Sequence, residues 1–333
     1  MIRLAISFFA CVLIIGCGDQ TTEPNSEAYT GPIIDVHLHA YPADGNGPSG
    51  QKACSGFAAD LRYDPAVPWR ERLVQRGFSD YCDGSIVGAA TDEAVMNETL
   101  EAMRRNNVRG VLSGRGDLFE TWLEAGGDLF IPGHALSNRP DDLSADAIGA
   151  LVDQGKVEVL MEVTSQYNGI KADDPRLAPY WAMAAEKDLP VGIHIGVGPP
   201  GAPHLYPEFT LQSPRTLEPI LKQYPNLRVY VVHGGFPFTD DLLAMLFMFP
   251  QLYIDVGVLQ IAATRSAYYD FLEAVVDAGY VDRIMFGSDQ MNWPALIDEG
   301  IAAINEAPFL TYEQKKMILH DNAVRFLRLE SEG

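Results

Sequence analysis

Two apolar rhythms alternate along this chain. Short, nearly continuous apolar runs are separated by longer stretches in which apolar residues recur every three or four positions. Runs of the first kind read as strands buried on both faces, and stretches of the second kind as helices with one apolar side. The first run is Ile-Ile-Asp-Val-His-Leu-His at 33–39, and further runs fall at 108–113, 128–136, 157–163, 190–195, 227–232, 252–256 and 283–286. Helical spacing occupies 91–107, 118–124, 144–154, 175–187, 216–223, 240–249, 265–278, 293–305 and 311–329. Ser144 offers a cap, Pro175 stands where a first turn tolerates proline, and Thr311 with Gln314 makes a capping box. Eight strands, each followed by a helix, predict an α/β fold of the (β/α)8 TIM-barrel type. A doubly wound open sheet is the alternative, but the glycine-rich phosphate turn it usually carries after an early strand is missing.

The segments outside this rhythm have their own character. Arg3 is followed by an apolar run at 4–15 and then Ile14-Ile15-Gly16-Cys17. The run is too short to span a bilayer and fits the core of an export signal. With Gly16 before Cys17 it resembles the signal peptide of bacterial lipoproteins; a plain secretory signal is the alternative. The resemblance implies that residues 1–17 form the signal with a lipidated Cys17, that 18–30 form a flexible tether, and that 31–333 form the barrel domain. Gly18, where an Asp would favour inner-membrane retention, implies an exported chain anchored to the periplasmic face of the outer membrane. Residues 40–90 form a long irregular loop placed to cover whatever the first strand carries. Inside it, Arg70, Arg72 and Arg76 with Trp69 and Phe78 suggest a short amphipathic helix. Cys54 and Cys82 are a candidate disulfide, worth about 3 kcal/mol through the loop it would close, with two free thiols or metal ligands as the alternative, although their spacing matches no zinc-ribbon pattern. The net charge of −21 argues against nucleic-acid binding and leaves small molecules as partners, with the membrane contacted through the N-terminal lipid only.

In a barrel of this kind chemistry gathers at the C-terminal ends of the strands. His37 and His39, two apart on the first strand, project to one side. His194 ends the fifth strand, His233 ends the sixth, Asp289 follows the eighth, Glu162 lies in the fourth, and His134 sits near the end of the third. Only seven histidines exist in the chain, and four of them fall at the mouths of strands one, five and six. Separately satisfied core histidines are the bland alternative, but imidazoles and a carboxylate converging on one mouth suit a transition metal. His320, on the last helix, stands apart, while His204 lies in the Pro/Gly-rich loop after strand five, within possible reach of the mouth. The apolar run at 245–249 reads as a helix face packed on the barrel rather than a membrane contact.

His37-Leu38-His39, His194, His233 and Phe286-Gly287-Ser288-Asp289 together resemble the amidohydrolase superfamily, nearest to its amidohydrolase-related (amidohydrolase 2) branch, which includes decarboxylases. The segments 167–177, 283–289 and 320–327 look like that branch too, so the resemblance runs from about residue 33 to 327. It implies that His37, His39, His194 and Asp289 bind a metal, most often zinc (Zn2+). It also implies that His233 acts as base or orienter beside the activated water and that Asp289 passes a proton. Where many relatives carry a bridging lysine on strand four, this chain has Glu162; Lys156 and Lys171 are too far from the strand end to replace it. Glu162 then either bridges a second metal or walls a one-metal site; one zinc ion is the preferred reading, with a second or another divalent transition metal as the alternative. Arg115 and Arg139 are candidate clamps for a substrate carboxylate, and Trp293, Tyr41 and Gln290 candidate pocket walls. The expected function is metal-dependent hydrolysis of a C–O or C–N bond in a lactone, ester or amide. The alternatives are non-oxidative decarboxylation of an aromatic or unsaturated acid, and a barrel that binds without catalysis.

Overall fold

Each of the eight apolar runs becomes a parallel strand, and the strands lie side by side in chain order. They are β1 (Ile33–His39), β2 (Val108–Ser113), β3 (Phe130–Leu136), β4 (Val159–Val163), β5 (Val191–His194), β6 (Val229–Val232), β7 (Leu252–Asp255) and β8 (Ile284–Met285). The intervening helices are α1 (Asp92–Arg105), α2 (Gly116–Gly126), α3 (Ala145–Asp153), α4 (Ala178–Glu186), α5 (Glu218–Gln223), α6 (Thr239–Met248), α7 (Arg265–Asp277) and α8 (Leu296–Asn305). The Val36 N–H donates to the Phe286 carbonyl and the Asp289 N–H to the His37 carbonyl, both at 2.9 Å, which joins the last strand to the first. The chain is a (β/α)8 TIM barrel, as expected. This computed structural model describes residues 27–53, 56, 66, 68, 86–196, 198 and 208–329. The export signal with Cys17, the tether up to residue 26, the amphipathic helix around Arg72, Cys54, Cys82 and His204 lie outside the described residues.

The barrel is filled in layers. Ile34, Val36, Val111, Ile131, Val159, Met161, Tyr230, Val232 and Met285 form one buried cluster with Ala323 and Phe326 of the last helix. The pairing of β1 with β2 shifts register between Asp35 and Leu38. That irregularity explains how Val36 packs in the interior cluster while His37, the next residue, reaches the site above it. Tyr230 crosses this interior, its hydroxyl donating to the Val36 carbonyl at 3.1 Å. Its neighbour across the ladder is Gly192. A Cβ at Gly192 would lie 2.4 Å from Tyr230 Cζ, so the glycine makes room for the ring under the site. Gly192→Ala is therefore expected to destabilise the protein by about 1–3 kcal/mol, as overpacked cores do. Chemical denaturation checks this, and an unchanged midpoint would mean that Tyr230 does not need that space.

Several boundaries differ from the sequence expectation. Ser144 and the Thr311–Gln314 capping box hold as expected. The helix expected from Pro175 begins instead at Ala178, with Pro179 in its first turn. The single closing helix is broken into α9 (Tyr312–Lys316), a π turn (Met317–Asp321) and α10 (Asn322–Leu327). The Ile318 carbonyl leaves the helical ladder to accept from the Phe286 N–H at 2.9 Å, and Asn322 donates to the carbonyls of Val281 and Ile284. This spends helix regularity to plug the barrel floor. The tether also ends earlier than residue 30. Tyr29 is buried, its N–H held by Asn305 Oδ1 at 2.9 Å and its ring set edge-on to Tyr312.

Candidate metal centre

Three donor atoms meet above Val36 and Tyr230. His37 Nε2 and His39 Nε2 are 3.0 Å apart, and Asp289 Oδ1 lies 3.5 Å from the first and 3.1 Å from the second. Ligands about 2.1 Å from one ion are separated by about 3.4 Å in a tetrahedron and about 3.0 Å along an octahedral edge. The triangle therefore has the size of a coordination face. Asp289 Oδ1 is buried and accepts no well-aligned hydrogen bond. An orphaned carboxylate oxygen facing two imidazole nitrogens is the expected state of a group built for a cation. The donor set fits a divalent transition metal.

The groups behind this triangle fix its chemistry. His37 Nδ1 donates to Asp255 Oδ2 at 3.1 Å, so the neutral ring keeps its proton on Nδ1 and turns the Nε2 lone pair to the triangle. Asp255 Oδ1 accepts from the N–H groups of His233 and Gly257 at 3.0 and 2.8 Å. Cβ atoms at Gly257 and Gly287 would fall within 3.0 Å of the His37 side chain, so both glycines admit the imidazole. His39 is set by Gln290, whose amide exchanges two hydrogen bonds with the His39 backbone, and its ring stacks on Tyr41 with centroids 4.5 Å apart. Asp35 Oδ1 accepts from the His37 and Ser288 N–H groups, and burial raises its carboxyl to about 7.

On the other side stand Glu162, His194 and His233. Glu162 Oε1 lies 2.6 Å from His194 Nδ1 and 4.0 Å from His233 Nε2, while Oε2 lies 3.8 Å from His39 Nε2. The Tyr167 hydroxyl meets His194 Nε2 at 2.6 Å, so both nitrogens of that ring are engaged. His233 Nδ1 donates to the Gly257 carbonyl at 2.8 Å, which leaves its Nε2 as an acceptor, 3.9 Å from Asp289 Oδ2. Among the described residues the donor atoms thus form two groups, His37–His39–Asp289 and His37–Glu162–His233. His194 belongs to neither and reaches them through Glu162. His233 and Asp289 both have positive φ, 59° and 49°, so the chain bears backbone strain where it aims them.

Other sequence candidates fall elsewhere. Arg115 pairs with Asp142 and, at 3.5 Å, with Asp141. With His134 it lines a groove of about 740 Å³ beside α2 and α3, into which none of the donors above projects. Trp293 is buried, and its indole N–H donates to the Gln51 carbonyl at 2.7 Å. Arg139 lies exposed on the loop after β3. Asp255, Tyr167 and Asp35 were missed as site residues. Asp255 carried a signal, since it ends an apolar strand where Asp289 follows one.

The electrostatics predict how a cation enters. Burial alone would lower the His37 pKa, but Asp289, Asp255 and Glu162 overcome it and carry it up to about 10. Burial opposes ionisation of Glu162, yet His194 holds it down to about 2; Asp289 also lies below the carboxylate range, against burial, because of His37 and His39. Burial and then His194 lower His233 to about 4, so it is neutral at pH 7. His37 must therefore lose a proton to bind a cation. Binding at pH 7 is expected to release about one proton, and affinity to rise about tenfold per pH unit between roughly pH 6 and 9. Calorimetry in buffers of different ionisation enthalpy measures the proton; an affinity flat with pH would contradict the assignment.

Comparison with known proteins agrees with this architecture. The chain is 20% identical over 113 residues to Protein fluG of Emericella nidulans, a match covering 34% of this chain and 12% of that protein. Among solved structures, an uncharacterised TIM-barrel protein of Bordetella bronchiseptica superposes with a TM-score of 0.59 at 20% identity, covering 90% of this chain and 99% of the other. A probable 2-pyrone-4,6-dicarboxylic acid hydrolase of Acinetobacter baumannii gives 0.57 at 14% identity, covering 90% and 100%. The 5-carboxyvanillate decarboxylase of Novosphingobium aromaticivorans, with bound manganese, gives 0.56 at 15% identity, covering 91% and 100%. The family model described as amidohydrolase (Amidohydro_2) matches residues 34–329, and with the ligand-like triangle at its strand ends the chain belongs to that family.

Proposed function

We propose that this protein is a metal-dependent hydrolase acting on a C–O or C–N bond of a small organic molecule such as a lactone, ester or amide. The observation that carries the reading is the triangle of His37 Nε2, His39 Nε2 and Asp289 Oδ1 with an acceptor-only His233 Nε2 beside it. One zinc ion, which His37, His39 and Asp289 would hold, is the assignment, with Glu162 as the next carboxylate and His194 behind it; manganese, present in the decarboxylase neighbour, is the competing ion. Such an ion supplies Lewis acidity, which polarises a carbonyl and makes water acidic.

The chain's own groups do the rest. Asp255 keeps His37 in its binding tautomer. His233, locked with its proton toward Gly257, takes a proton from an attacking water, because its Nε2 has a lone pair and no hydrogen. Asp289 Oδ2, 3.9 Å from His233 Nε2, is the neighbouring carboxylate that passes a proton to the leaving group, with a water or the substrate between the two. Tyr167, backed by His194 and Glu162, faces the same space and orients substrate, and Tyr41 and Arg139 stand nearer the rim.

The fold neighbours include a decarboxylase as well as a hydrolase, so the test covers both reactions. Purified protein is assayed for bound metal, then offered lactones, esters, amides and aromatic acids while acid and CO2 release are followed. Metal-dependent acid release supports hydrolysis. CO2 release without hydrolysis moves the assignment to decarboxylation, and the absence of stoichiometric metal after loading with zinc or manganese defeats both. We also place the chain at a bacterial membrane through a lipid on Cys17, on the strength of the apolar run at 4–15 and the Gly16-Cys17 pair.

A further inference from the structure

The two most exposed large apolar side chains among the described residues are neighbours, Phe247 at 74% and Met248 at 65% exposure. They end α6, four residues before β7 begins at Leu252. The run they belong to was expected to pack on the barrel; Met245 and Leu246 do so, but the tip does not. From Leu242 to Ile254 the chain has no Asp, Glu, Lys or Arg, although 21% of all its residues are charged. An uncharged tip with exposed Phe and Met on so acidic a protein is a surface without its partner.

Its position says what the partner is. Helices of the barrel run against the strands, so the end of α6 lies where strands begin. The first described residues lie at the same end. Tyr29 is pinned to Asn305, the last residue of α8, and the Glu27 carbonyl accepts from Lys315. The chain therefore leaves the barrel on the face that carries Phe247 and Met248, opposite the metal centre. Ten peptide steps separate Cys17 from Glu27, a span of at most about 35 Å. The other exposed large apolar residues, Val87, Leu143 and Phe209, lie in segments after β1, β3 and β5, toward the catalytic end.

We propose that Phe247 and Met248 form a membrane-resting tip, seated in the headgroup layer of the bilayer to which Cys17 is anchored, so that the catalytic mouth faces away from the lipid. This rests on the lipid anchor proposed above. Two side chains bind a bilayer weakly by themselves, but the anchor makes their contact intramolecular and raises its effective concentration. The net charge of −21 repels anionic lipid, so the occupant is a zwitterionic phospholipid surface. Among the described residues no helix is long and apolar enough to cross a membrane, which fits a contact that rests on the surface.

The experiment uses the full chain, recovered from bacterial membranes and reconstituted into phosphatidylcholine vesicles with plain or brominated acyl chains. Phe247→Trp adds a reporter at the tip, and Phe209→Trp adds one at the opposite end. Co-flotation of the parent chain reports the anchor. The expected result is flotation of all three proteins, loss of about half or more of the emission added at 247 on brominated vesicles, and no comparable loss at 209. Flotation with equal or no quenching at both positions overturns the tip while leaving the anchor standing. Absence of flotation removes the anchor and the tip with it. A tip that becomes shielded without lipid, in step with dimer formation in sedimentation, assigns the patch to a second copy and overturns the proposal.

Discussion

Replacing His233 with alanine is expected to lower kcat about 10²–10⁴-fold, the range for loss of a general base, while leaving the bound metal unchanged. The reasoning is geometric. The triangle of His37, His39 and Asp289 is held by Asp255, Gln290 and β1, none of which needs the His233 ring. The residue's contribution to Asp255 comes from its backbone N–H, which alanine keeps. Histidine already bears the strain of φ 59°, so alanine adds little to it, and a kinetic loss is not mimicked by unfolding. Turnover within a few-fold of the parent would remove His233 from proton transfer. A fall in metal content together with activity would instead show that His233 and Glu162 hold an ion, the two-metal arrangement that the position of Glu162 allows.

The second large effect concerns a residue that touches no substrate. Asp255→Asn is expected to weaken metal binding about 10–100-fold with little change in kcat at saturating metal. The carboxylate accepts three hydrogen bonds, two from backbone N–H groups and one from His37 Nδ1. In the asparagine variant the amide oxygen stays with the two backbone donors, and the NH2 turns toward His37. That ring must then present Nδ1 as acceptor and carry its proton on Nε2, where the metal should bind. Two effects compete here, because losing a nearby negative charge also makes the His37 proton easier to remove. Asp289 and Glu162 remain to hold that proton, so the tautomer effect is the larger. Titration with zinc under a competing chelator measures the affinity. Unchanged affinity with a lowered melting temperature would assign Asp255 a purely structural role.

The fold was legible because its signal is local and repeated. Apolar runs between helical stretches mark strands, and a barrel brings the ends of all eight strands to one place. That is enough to gather His37, His39, His194, His233, Glu162 and Asp289 without any knowledge of distances. Facing along β1 was nearly right for the same reason, although the register shift between Asp35 and Leu38 shows that strict alternation does not hold there.

What the chain sequence determined by itself was therefore the list of elements, their order and the kinds of atom available at the mouth. Tertiary structure decided the partners. His37 and Asp255 are 218 positions apart, and nothing in Leu-Tyr-Ile-Asp distinguishes a tautomer lock from an ordinary strand end. Arg115, a candidate substrate clamp by position, is spent on Asp142 because the loops after β2 and β3 meet there. His194 turns its two nitrogens to Glu162 and Tyr167, a choice made by 2.6 Å contacts on both sides. Phe247 and Met248 share an apolar run with Met245 and Leu246 but end on the outside, because Leu242, Met245 and Leu246 take the helix face that packs on the barrel and 247 and 248 fall with Ala244 on the other face. Periodicity records which way a residue faces along its own element. It carries no information about which distant atom waits there, and the choice of proton, ligand or lipid depends on that atom.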